Sequence, residues 1–350
     1  MKGKVIGLHV HGGDIYRNAG VTDFSANCNC YGMPEAVRLA AVRGVECAAS
    51  YPDPAYTALR EALSDYEGVG PEQVLCGNGA SELLMALAHA IRPKEALLLA
   101  PGFYGYEHCL AAAGARIHWH VLTCGEGFLP GKRFLDELAH TPAKLVILSN
   151  PHNPTGRVLA PDYLKEMAGI AAARGIRLVV DECFLGFLEE PERYSCKRYV
   201  GDDGGLLVLN AFTKTFACAG LRLGYLIGGD SVLLEACKEQ LPEWNVSLPA
   251  TYAGIAAARC GKWLRVCAAK IRTEREWLRA RLEALDYEVV PGAANFLFFT
   301  GAPGLCEHCL RHKILIRDCG NYRGLGAGNY RVCVRRREEN EKLLRVIGMR

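Results

Sequence analysis

The sequence lacks any apolar run near the roughly 20 residues that a membrane-spanning helix needs, so we expect no membrane partner. It also lacks a charge excess of either sign, because 41 lysines and arginines balance 38 aspartates and glutamates. A chain so close to neutral gives no electrostatic reason to expect nucleic acid as a partner. Residues 1–14 lack the apolar core and the small-residue cleavage site of a signal peptide, so we expect a cytoplasmic protein.

Sequence repeats, low-complexity tracts and linkers rich in glycine and serine are absent as well. Half of the residues are apolar and 23% are charged, which is typical of globular proteins and excludes a disordered or fibrous chain. At about 150 residues per domain, a chain of 350 residues predicts two domains, one of them larger than the other.

Cysteine, by contrast, is abundant, with sixteen residues. In a chain without an export signal we expect reduced thiols, used mostly as small buried hydrophobes. The nearest approach to a metal motif is Cys306-Glu307-His308-Cys309, followed by His312. It lacks a second pair at zinc-site spacing and has a helical pattern, so we predict no metal site.

Short apolar runs alternate with helical patterns from residue 55 to about residue 235. Continuous apolar runs separated by helices are typical of a parallel sheet that is covered on both faces, which predicts an α/β fold. The runs that we expect to form strands are residues 74–76, 96–100, 144–149, 176–181, 206–210 and 222–227.

The pattern changes after residue 235, where a long helix and short strands predict a smaller α+β domain. The expected elements are a helix over 263–285, strands over 295–299, 313–316 and 330–334, and a helix over 338–347. The predicted units are therefore an arm over 1–44 that also contributes to the small domain, a large domain over 45–235, and a small domain over 236–350.

Polar residues follow several of the predicted strands, and ligands of open parallel sheets bind beyond the C-terminal ends of the strands. The segment Cys76–Ser81 links a strand to a helix, and its glycines would let the backbone approach an anion at the helix N-terminus. The same segment is also typical of a plain turn with an N-cap serine, so alone it leaves both interpretations open.

Three further segments carry candidate chemistry. Asn153 lies in a loop that two prolines and a glycine make rigid, and Asp181 ends a buried strand, where a carboxylate needs a partner or a function. Lys214 follows a predicted strand, and a lysine with a lowered pKa at such a place can form a Schiff base. A surface lysine with a partly buried stem would give the same pattern.

An anion cradle, a lysine and a carboxylate for a ring nitrogen are together what pyridoxal 5'-phosphate requires. The order and spacing of these segments closely resemble those of fold type I aminotransferases over nearly the whole chain. The resemblance implies pyridoxal 5'-phosphate as cofactor and a large domain with a mostly parallel seven-stranded sheet flanked by helices. The segments that carry it are Asn78–Leu83, Pro151–Gly156, Val179–Phe184, Phe212–Phe216 and Gly220–Tyr225.

The same resemblance implies a role for each candidate residue. Lys214 would hold the cofactor's aldehyde and act in catalysis with Asp181, which would pair with the pyridinium nitrogen. Asn153 would donate to the phenolic oxygen of the ring, and Phe103 would stack on it. The residues implied to hold the cofactor's phosphate are Gly79, Ala80, Ser81, Thr213 and Arg222.

Two further residues match the family's pattern, and two depart from it. Tyr51 resembles the tyrosine that reaches the phosphate from the other subunit, which implies a homodimer with shared active sites. Arg331 resembles the arginine that forks the substrate's α-carboxylate. Phe184 stands where many aminotransferases have a tyrosine, which weakens an assignment as an ordinary transaminase, and Ala211 stands where some relatives have a phosphate-binding serine.

Within this family the chain resembles the threonine-phosphate decarboxylases of cobamide biosynthesis, near kin of the histidinol-phosphate aminotransferases. The resemblance implies a small phosphorylated amino acid as substrate, with Arg317 and His11 on its phosphate and Asn27 near it. The residues Asn27–Tyr31 depart from the usual Asn-Ile-Asn-Pro-Leu of those decarboxylases, which leaves the exact substrate open. The segments that carry this resemblance are His11–Tyr16, Asp23–Asn27, Tyr51–Tyr56, Asp181–Phe184 and Leu315–Cys319.

The sequence thus leaves three functions to compare. The first is decarboxylation of L-threonine O-3-phosphate, the second is transamination of histidinol phosphate, and the third is a non-catalytic regulator that binds pyridoxal phosphate. Regulators of the third kind carry an added DNA-binding segment, which the residues before His11 do not supply. Phosphothreonine and phosphoserine differ by one methyl, which a pocket distinguishes by only about 1–3 kcal/mol.

Overall fold

The computed structural model describes residues 12–201 and 205–349. Its strands are β1 (Thr22–Asp23), β2 (Val74–Gly77), β3 (Glu95–Ala100), β4 (Arg116–Val121), β5 (Leu145–Ser149), β6 (Arg177–Asp181), β7 (Leu206–Ala211), β8 (Gly224–Gly228), β9 (Glu288–Val290), β10 (Phe296–Thr300), β11 (Ile314–Leu315), β12 (Arg317–Asp318) and β13 (Asn329–Cys333). Its helices are α1 (Glu35–Glu46), α2 (Thr57–Glu67), α3 (Ala80–Ile91), α4 (Tyr104–Ala112), α5 (Gly131–His140), α6 (Pro161–Ala173), α7 (Pro191–Tyr194), α8 (Phe212–Thr215), α9 (Ser231–Lys238), α10 (Leu248–Ala258), α11 (Gly261–Glu283), α12 (Leu305–Arg311) and α13 (Arg337–Gly348).

A seven-stranded sheet in the order β2-β8-β7-β6-β5-β3-β4 forms the large domain. All neighbouring strands are parallel except β8, which is antiparallel to both β2 and β7. The C-terminal ends of β5 and β6 lie level, because Ser149 is the register partner of Asp181. The ends of β2 and β7 meet the start of β8 at the same edge, since Gly77 and Ala211 both pair with Gly224. The predicted α/β fold with a mostly parallel seven-stranded sheet is confirmed.

Both faces of this sheet are covered by helices, as its apolar strands require. On one face Val146, Val180 and Val208 pack in a core with residues of α2, α5, α6 and α10. On the other face Ile147 and Val179 pack in a core with residues of α3, α4 and α9. Because both faces are buried, only the strand ends and the loops that follow them are open to a ligand.

The small domain contains a four-stranded antiparallel sheet in the order β12-β13-β10-β9. Its core brings together Phe296 and Phe299 of β10, Ile271 and Leu278 of α11, and Leu343 of α13. The N-terminal segment joins this domain, because β1 pairs with β11 in parallel. The division of the chain at residues 44 and 235 stays a prediction.

One predicted strand is wrong in its extent. The run 313–316 was expected to form one strand, but the chain changes sheets at Ile316, so that β11 pairs with β1 and β12 pairs with β13. The predicted strand over 222–227 begins instead at Gly224, because Arg222 has φ 58°, in the left-handed region, which a strand does not allow. The predicted helices over 263–285 and 338–347 correspond to α11 and α13.

The two domains touch through two glycines. A Cβ on Gly292 would lie 2.9 Å from the carbonyl oxygen of Thr155 and 3.0 Å from the Cα of Gly156, so only glycine fits there. The Ala293 N–H donates to the Gly156 carbonyl at 2.8 Å. This contact fixes the loop after β5 against the small domain.

The sixteen cysteines all lie within the described ranges, and the thiols are free. Ten are buried, and only Cys47 and Cys124 are exposed. Burial raises the pKa of the Cys76 thiol to about 12 and that of Cys319 to about 11. Across the described residues, no cluster of three histidine, cysteine, aspartate or glutamate side chains could hold a metal ion. No helix in this part of the chain is long and apolar enough to cross a membrane.

Candidate active site

A cavity of about 220 Å³ opens between the C-terminal ends of the large sheet and the small domain. It brings together eleven of the residues predicted from the sequence, although they come from both domains. They are Asn27, Ala80, Ser81, Phe103, Asn153, Asp181, Thr213, Lys214, Arg222, Arg317 and Arg331.

The N-terminus of α3 forms an anion cradle at one end of this cavity. Its N-cap residue is Gly79, which has φ 83° and offers no side chain to cap the helix. A Cβ on Gly79 would lie 2.5 Å from Nη2 of Arg222, and a Cβ on Gly224 would lie 2.6 Å from the amide nitrogen of Ala80. The two glycines therefore allow a guanidinium and a strand to approach the first turn, where backbone N–H groups attract a phosphate.

Lys214 lies in the single turn of α8, directly after β7 ends at Ala211. The N-terminal segment holds this turn, because the Asn29 N–H donates to the Lys214 carbonyl at 2.9 Å. The Asn29 side-chain amide also donates to the Thr215 carbonyl at 2.9 Å. The backbone on both sides of the lysine is thus fixed, and its half-buried side chain lines the cavity.

Asp181 ends β6 and is held through both carboxylate oxygens. The Tyr106 hydroxyl donates to Oδ2 at 2.7 Å, and the Cys183 N–H donates to Oδ1 at 3.0 Å. Burial, and then the charge of Asp181, raise the pKa of Tyr106 well above its usual value, so the phenol stays protonated and donates. A carboxylate with only 8% exposure and a fixed direction suits a cationic ring nitrogen.

Tyr106 is a site residue that was not predicted from the sequence, although it lies only three residues after Phe103. The available signal was a tyrosine hydroxyl on the first turn of a helix that follows a buried strand. The two rings meet edge to face, with centroids 5.4 Å apart. Tyr106 therefore supports the predicted stacking residue as well as Asp181.

Asn153 is held in its loop through its backbone N–H and its side-chain oxygen. Its N–H donates to the Ser149 hydroxyl at 3.0 Å, and its Oδ1 accepts from Nη1 of Arg331 at 2.5 Å. The side-chain NH₂ is left to face the cavity, as a donor to a phenolic oxygen would be. His152 anchors the loop between the Thr155 hydroxyl and the Pro101 carbonyl, and burial lowers its pKa to about 4.

Arg317 and Arg331 are cross-strand partners on β12 and β13, and each is only 6% exposed. Arg317 donates to the Asn321 side chain, while Arg331 donates to Asn153 and to the Ser25 carbonyl. Among the described residues neither guanidinium has a carboxylate partner, and Nε of Arg331 has no acceptor. Two buried cations without counter-charge leave room for two anionic groups of a ligand.

Asn27 offers a hydrogen-bond acceptor, in contrast to the donors of the two arginines. Its Oδ1 is buried in the cavity wall and has no donor within the described residues. A buried acceptor without a donor is costly, so this oxygen suits a hydrogen-bond donor on a ligand. The prediction that Asn27 lies near the substrate fits this geometry.

Of the predicted site residues that the structure describes, Tyr51 and Gly79 do not line this cavity. Tyr51 is 77% exposed and packs against Trp244, with ring centroids 4.6 Å apart and the planes tilted by 33°, away from the cavity of its own chain. His11 lies outside the described residues. Gly79 contributes from behind the cavity wall, beneath the guanidinium of Arg222.

The residues present fit pyridoxal 5'-phosphate. The cradle at α3 suits its phosphate, Asp181 its ring nitrogen and Asn153 its phenolic oxygen, and Lys214 lies where its aldehyde would attach. Phe103 lines the same cavity and supplies an aromatic face for the ring. No second cofactor is needed to explain this set of residues.

Known proteins are similar in sequence to this chain over almost its full length. A threonine-phosphate decarboxylase of Salmonella typhimurium is 33% identical over 347 residues, which cover 95% of this chain and 94% of that protein. A putative threonine-phosphate decarboxylase of Caldanaerobacter subterraneus is 31% identical over 360 residues, covering 99% and 95%. Histidinol-phosphate aminotransferase 2 of Archaeoglobus fulgidus is 30% identical over 331 residues, covering 93% and 92%.

Solved structures share the fold. A histidinol-phosphate aminotransferase from Clostridium acetobutylicum superposes with a TM-score of 0.86 at 24% identity, over 93% of this chain and 97% of that one. An L-threonine-O-3-phosphate decarboxylase from Porphyromonas gingivalis superposes with a TM-score of 0.82 at 20% identity, over 93% and 98%.

The family model described as "Aminotransferase class I and II" matches residues 19–347. The predicted resemblance is thereby confirmed, and so is the cofactor that it implies. The chain belongs to the class I and II aminotransferase family and is a pyridoxal-phosphate-dependent enzyme.

Proposed function

We propose that this enzyme decarboxylates an O-phosphorylated amino acid, L-threonine O-3-phosphate, to (R)-1-aminopropan-2-yl phosphate in cobamide biosynthesis. The observation that carries the proposal is the pair of buried arginines, Arg317 and Arg331, side by side on neighbouring strands. Cross-strand partners have their side chains on the same face of the sheet, within about 5 Å at Cβ. Two guanidinium groups so placed suit one small molecule that carries a carboxylate and a phosphate.

The surroundings of each arginine suggest which anion it takes. Arg331 is bonded to Asn153, at the end of the cavity where the cofactor ring would lie, so we assign the α-carboxylate to Arg331. Arg317 lies near Tyr322 at the outer wall, so we assign the phosphate to Arg317, with His11 as a further ligand on the strength of the resemblance. Asn27 would accept from a donor of the substrate.

Bound pyridoxal phosphate supplies an electron sink that stabilises negative charge on the substrate carbon that carries the amine. The residues that orient the substrate would therefore decide which bond at this carbon breaks. Two anchored anions limit rotation of the substrate about the amine–Cα bond. In our proposal Arg317 and Arg331 thereby fix the direction of the carboxylate, and Lys214, in its ammonium form, would give a proton to Cα after CO₂ leaves.

Phe184 supports decarboxylation over transamination. It lines the cavity at a position where many aminotransferases have a tyrosine, and it packs edge to face on Phe296 at 5.1 Å. A phenyl ring there supplies no hydroxyl to the phenolic oxygen of the cofactor or to a proton transfer. Two of the relatives described above are named threonine-phosphate decarboxylase, in line with this choice.

We also propose a homodimer in which each chain completes the other's site. Tyr51 is exposed beside Trp244, and Leu39, Val42 and Val45 form an exposed apolar stripe on α1. Such a patch on a chain of this family suits a second copy of the same chain.

Product analysis tests the reaction directly. The purified holoenzyme should release CO₂ from L-threonine O-3-phosphate and form an amino-alcohol phosphate in equal amount. Phosphoserine in parallel measures what the extra methyl contributes. Transamination of histidinol phosphate with 2-oxoglutarate, with no CO₂ from either phosphorylated amino acid, would overturn the proposal in favour of an aminotransferase.

A further inference from the structure

A directed chain of hydrogen bonds leads to the phosphate cradle from outside the cavity. The Val246 N–H donates to the Tyr56 hydroxyl at 3.0 Å, which donates to Oδ1 of Asn245 at 2.9 Å. The Asn245 NH₂ donates to Oε2 of Glu82 at 2.6 Å. The same oxygen of Glu82 accepts from the Asn78 N–H at 2.6 Å. Asn78 and Glu82 flank the N-terminus of α3.

The order of donors in this chain fixes the orientation of the Asn245 amide. Because Oδ1 accepts from Tyr56, the NH₂ group must face Glu82. Tyr56 is 8% exposed and has φ 50°, an unfavourable backbone conformation for a residue with a Cβ. Its hydroxyl is placed by the backbone of Val246, so the orientation does not depend on a mobile surface group.

Glu82 occupies the third position of α3, from which a glutamate often folds back onto the backbone N–H of the N-cap residue. Here its Oε2 is held by Asn78 and Asn245 instead. The N–H groups of Ala80 and Ser81 stay available for an anion. Without Asn245, a carboxylate at this place would compete with a phosphate for those donors and would repel it.

These hydrogen bonds also connect the phosphate cradle to the segment that carries Tyr51. Trp244, next to Asn245, packs against the ring of Tyr51, and Tyr56 follows Tyr51 by five residues. The residues 51–56 that we expect to reach the partner chain are therefore tied to the cradle of their own chain.

We infer that Asn245 is a positioning residue for the cofactor's phosphate, acting by holding the Glu82 carboxylate away from the first turn of α3. Tyr56 orients Asn245 and has a smaller share in the effect. This inference rests on the family's cofactor and not on the reaction proposed above, so an assay of decarboxylation does not decide it.

The test compares two forms of the cofactor. In Asn245→Asp an oxygen replaces the NH₂ group beside Glu82, so the dissociation constant of pyridoxal 5'-phosphate should rise about tenfold or more. Pyridoxal, which lacks the phosphate, should bind as it does to the parent protein. Both constants are measured by absorbance during reconstitution of the apoprotein. Gln240→Glu adds the same charge at an exposed site five residues away and serves as the matched control.

A second change reverses the donor and the acceptor. In the double variant Asn245→Asp, Glu82→Gln the new amide can donate to the introduced carboxylate, so the affinity for pyridoxal 5'-phosphate should return to within about threefold of the parent. Tyr56→Phe should weaken the binding of pyridoxal 5'-phosphate alone, by a smaller factor. The inference is overturned if Asn245→Asp binds pyridoxal 5'-phosphate like the parent, or if the affinities for both forms fall together and the double variant restores neither.

Discussion

The phenol of Tyr106 and the carboxylate of Asp181 form a buried hydrogen bond of 2.7 Å that joins the start of α4 to the end of β6. The phenol is neutral, so it orients the Asp181 carboxylate without pairing that carboxylate with a positive charge. The negative charge of Asp181 is what a pyridinium nitrogen would pair with. We therefore predict that Tyr106 acts on the pairing between Asp181 and the ring nitrogen of the cofactor, and not on the binding of the substrate.

Tyr106→Phe removes the donor to Oδ2 of Asp181 and leaves the ring that supports Phe103. Hydrogen bonds to charged groups contribute about 1.5–3 kcal/mol, so kcat should fall at least about tenfold while the KM for substrate changes little. When the absorbance of the bound cofactor is followed as a function of pH, the midpoint of the titration should shift as well. Tyr163→Phe, which removes a phenol that donates to the Gly131 carbonyl far from the cavity, should change neither quantity.

Lys214 should be the residue to which the cofactor attaches. Borohydride reduction of the holoenzyme, followed by peptide mapping, should label the peptide that contains Lys214, because its side chain lines the cavity beside Asp181 and the α3 cradle. Lys214→Arg should retain its fold and bind the cofactor without covalent attachment. A label on any other lysine would contradict the assignment.

Arg317→Ala should raise the KM for L-threonine O-3-phosphate severely. Loss of one member of a buried charge pair costs roughly 2–5 kcal/mol, which is a factor of about thirty or more. Arg317→Lys keeps the charge but not the two-pronged donor, so it should recover only part of the loss. Arg337→Ala, which breaks an ion pair with Glu274 on the exposed side of the small domain, is the control. An unchanged KM in Arg317→Ala would remove this arginine from the substrate site.

Hybrid dimers should reveal shared active sites. Tyr51→Phe and Lys214→Ala variants, each of low activity alone, should regain part of the activity when mixed under conditions that allow chains to exchange. One of the two sites in a hybrid then has both native residues. A chain that is monomeric in ultracentrifugation and fully active at the same concentration would contradict the sharing.

Glu182 should make stability fall as the pH rises. Burial raises its pKa to about 8, although the Cys196 N–H and the Ser195 hydroxyl both donate to it. In the unfolded chain a glutamate titrates near about 4.3. Between these two pH values the folded protein holds a proton that the unfolded chain has released, so the free energy of unfolding falls with rising pH.

Glu182→Gln has no such proton and should lack this component of the pH dependence. From about pH 5 to about pH 8 the variant should gain on the parent by an amount on the order of a few kcal/mol. Urea unfolding at fixed pH values measures the difference. Parallel stability profiles for the two proteins would show that Glu182 is ionised in the folded state.

Site residues at or after the end of a continuous apolar strand could be predicted from the sequence alone. Asp181 is the last residue of β6 and Asn153 lies in the loop after β5, and parallel strands bring such ends to one edge whatever the details of packing. Lys214 was found for the same reason, after β7. The order of elements along the chain carries this information without any knowledge of the side-chain contacts.

Other features depend on contacts that no local pattern records. Tyr106 reaches Asp181 because α4 covers the face of the sheet on which Val179 of β6 packs, although 75 residues separate Tyr106 and Asp181 in the sequence. The strand predicted over 313–316 ends at Leu315, because the chain pairs with β1 before Ile316 and with β13 after it. The chain from Tyr56 to Glu82 likewise joins segments that are distant in sequence, and the sequence analysis contained no sign of it.

Because most of its cysteines are buried, the protein carries natural probes of local unfolding. Only a thiolate reacts readily with an alkylating reagent, and burial raises the pKa of the Cys76, Cys109 and Cys237 thiols to about 12. These thiols can be labelled only during moments when their part of the chain separates from its neighbours. Because buried cysteines lie on strands and helices of both domains, the order in which they acquire label under native conditions would rank the local stabilities of the fold, with no residue changed.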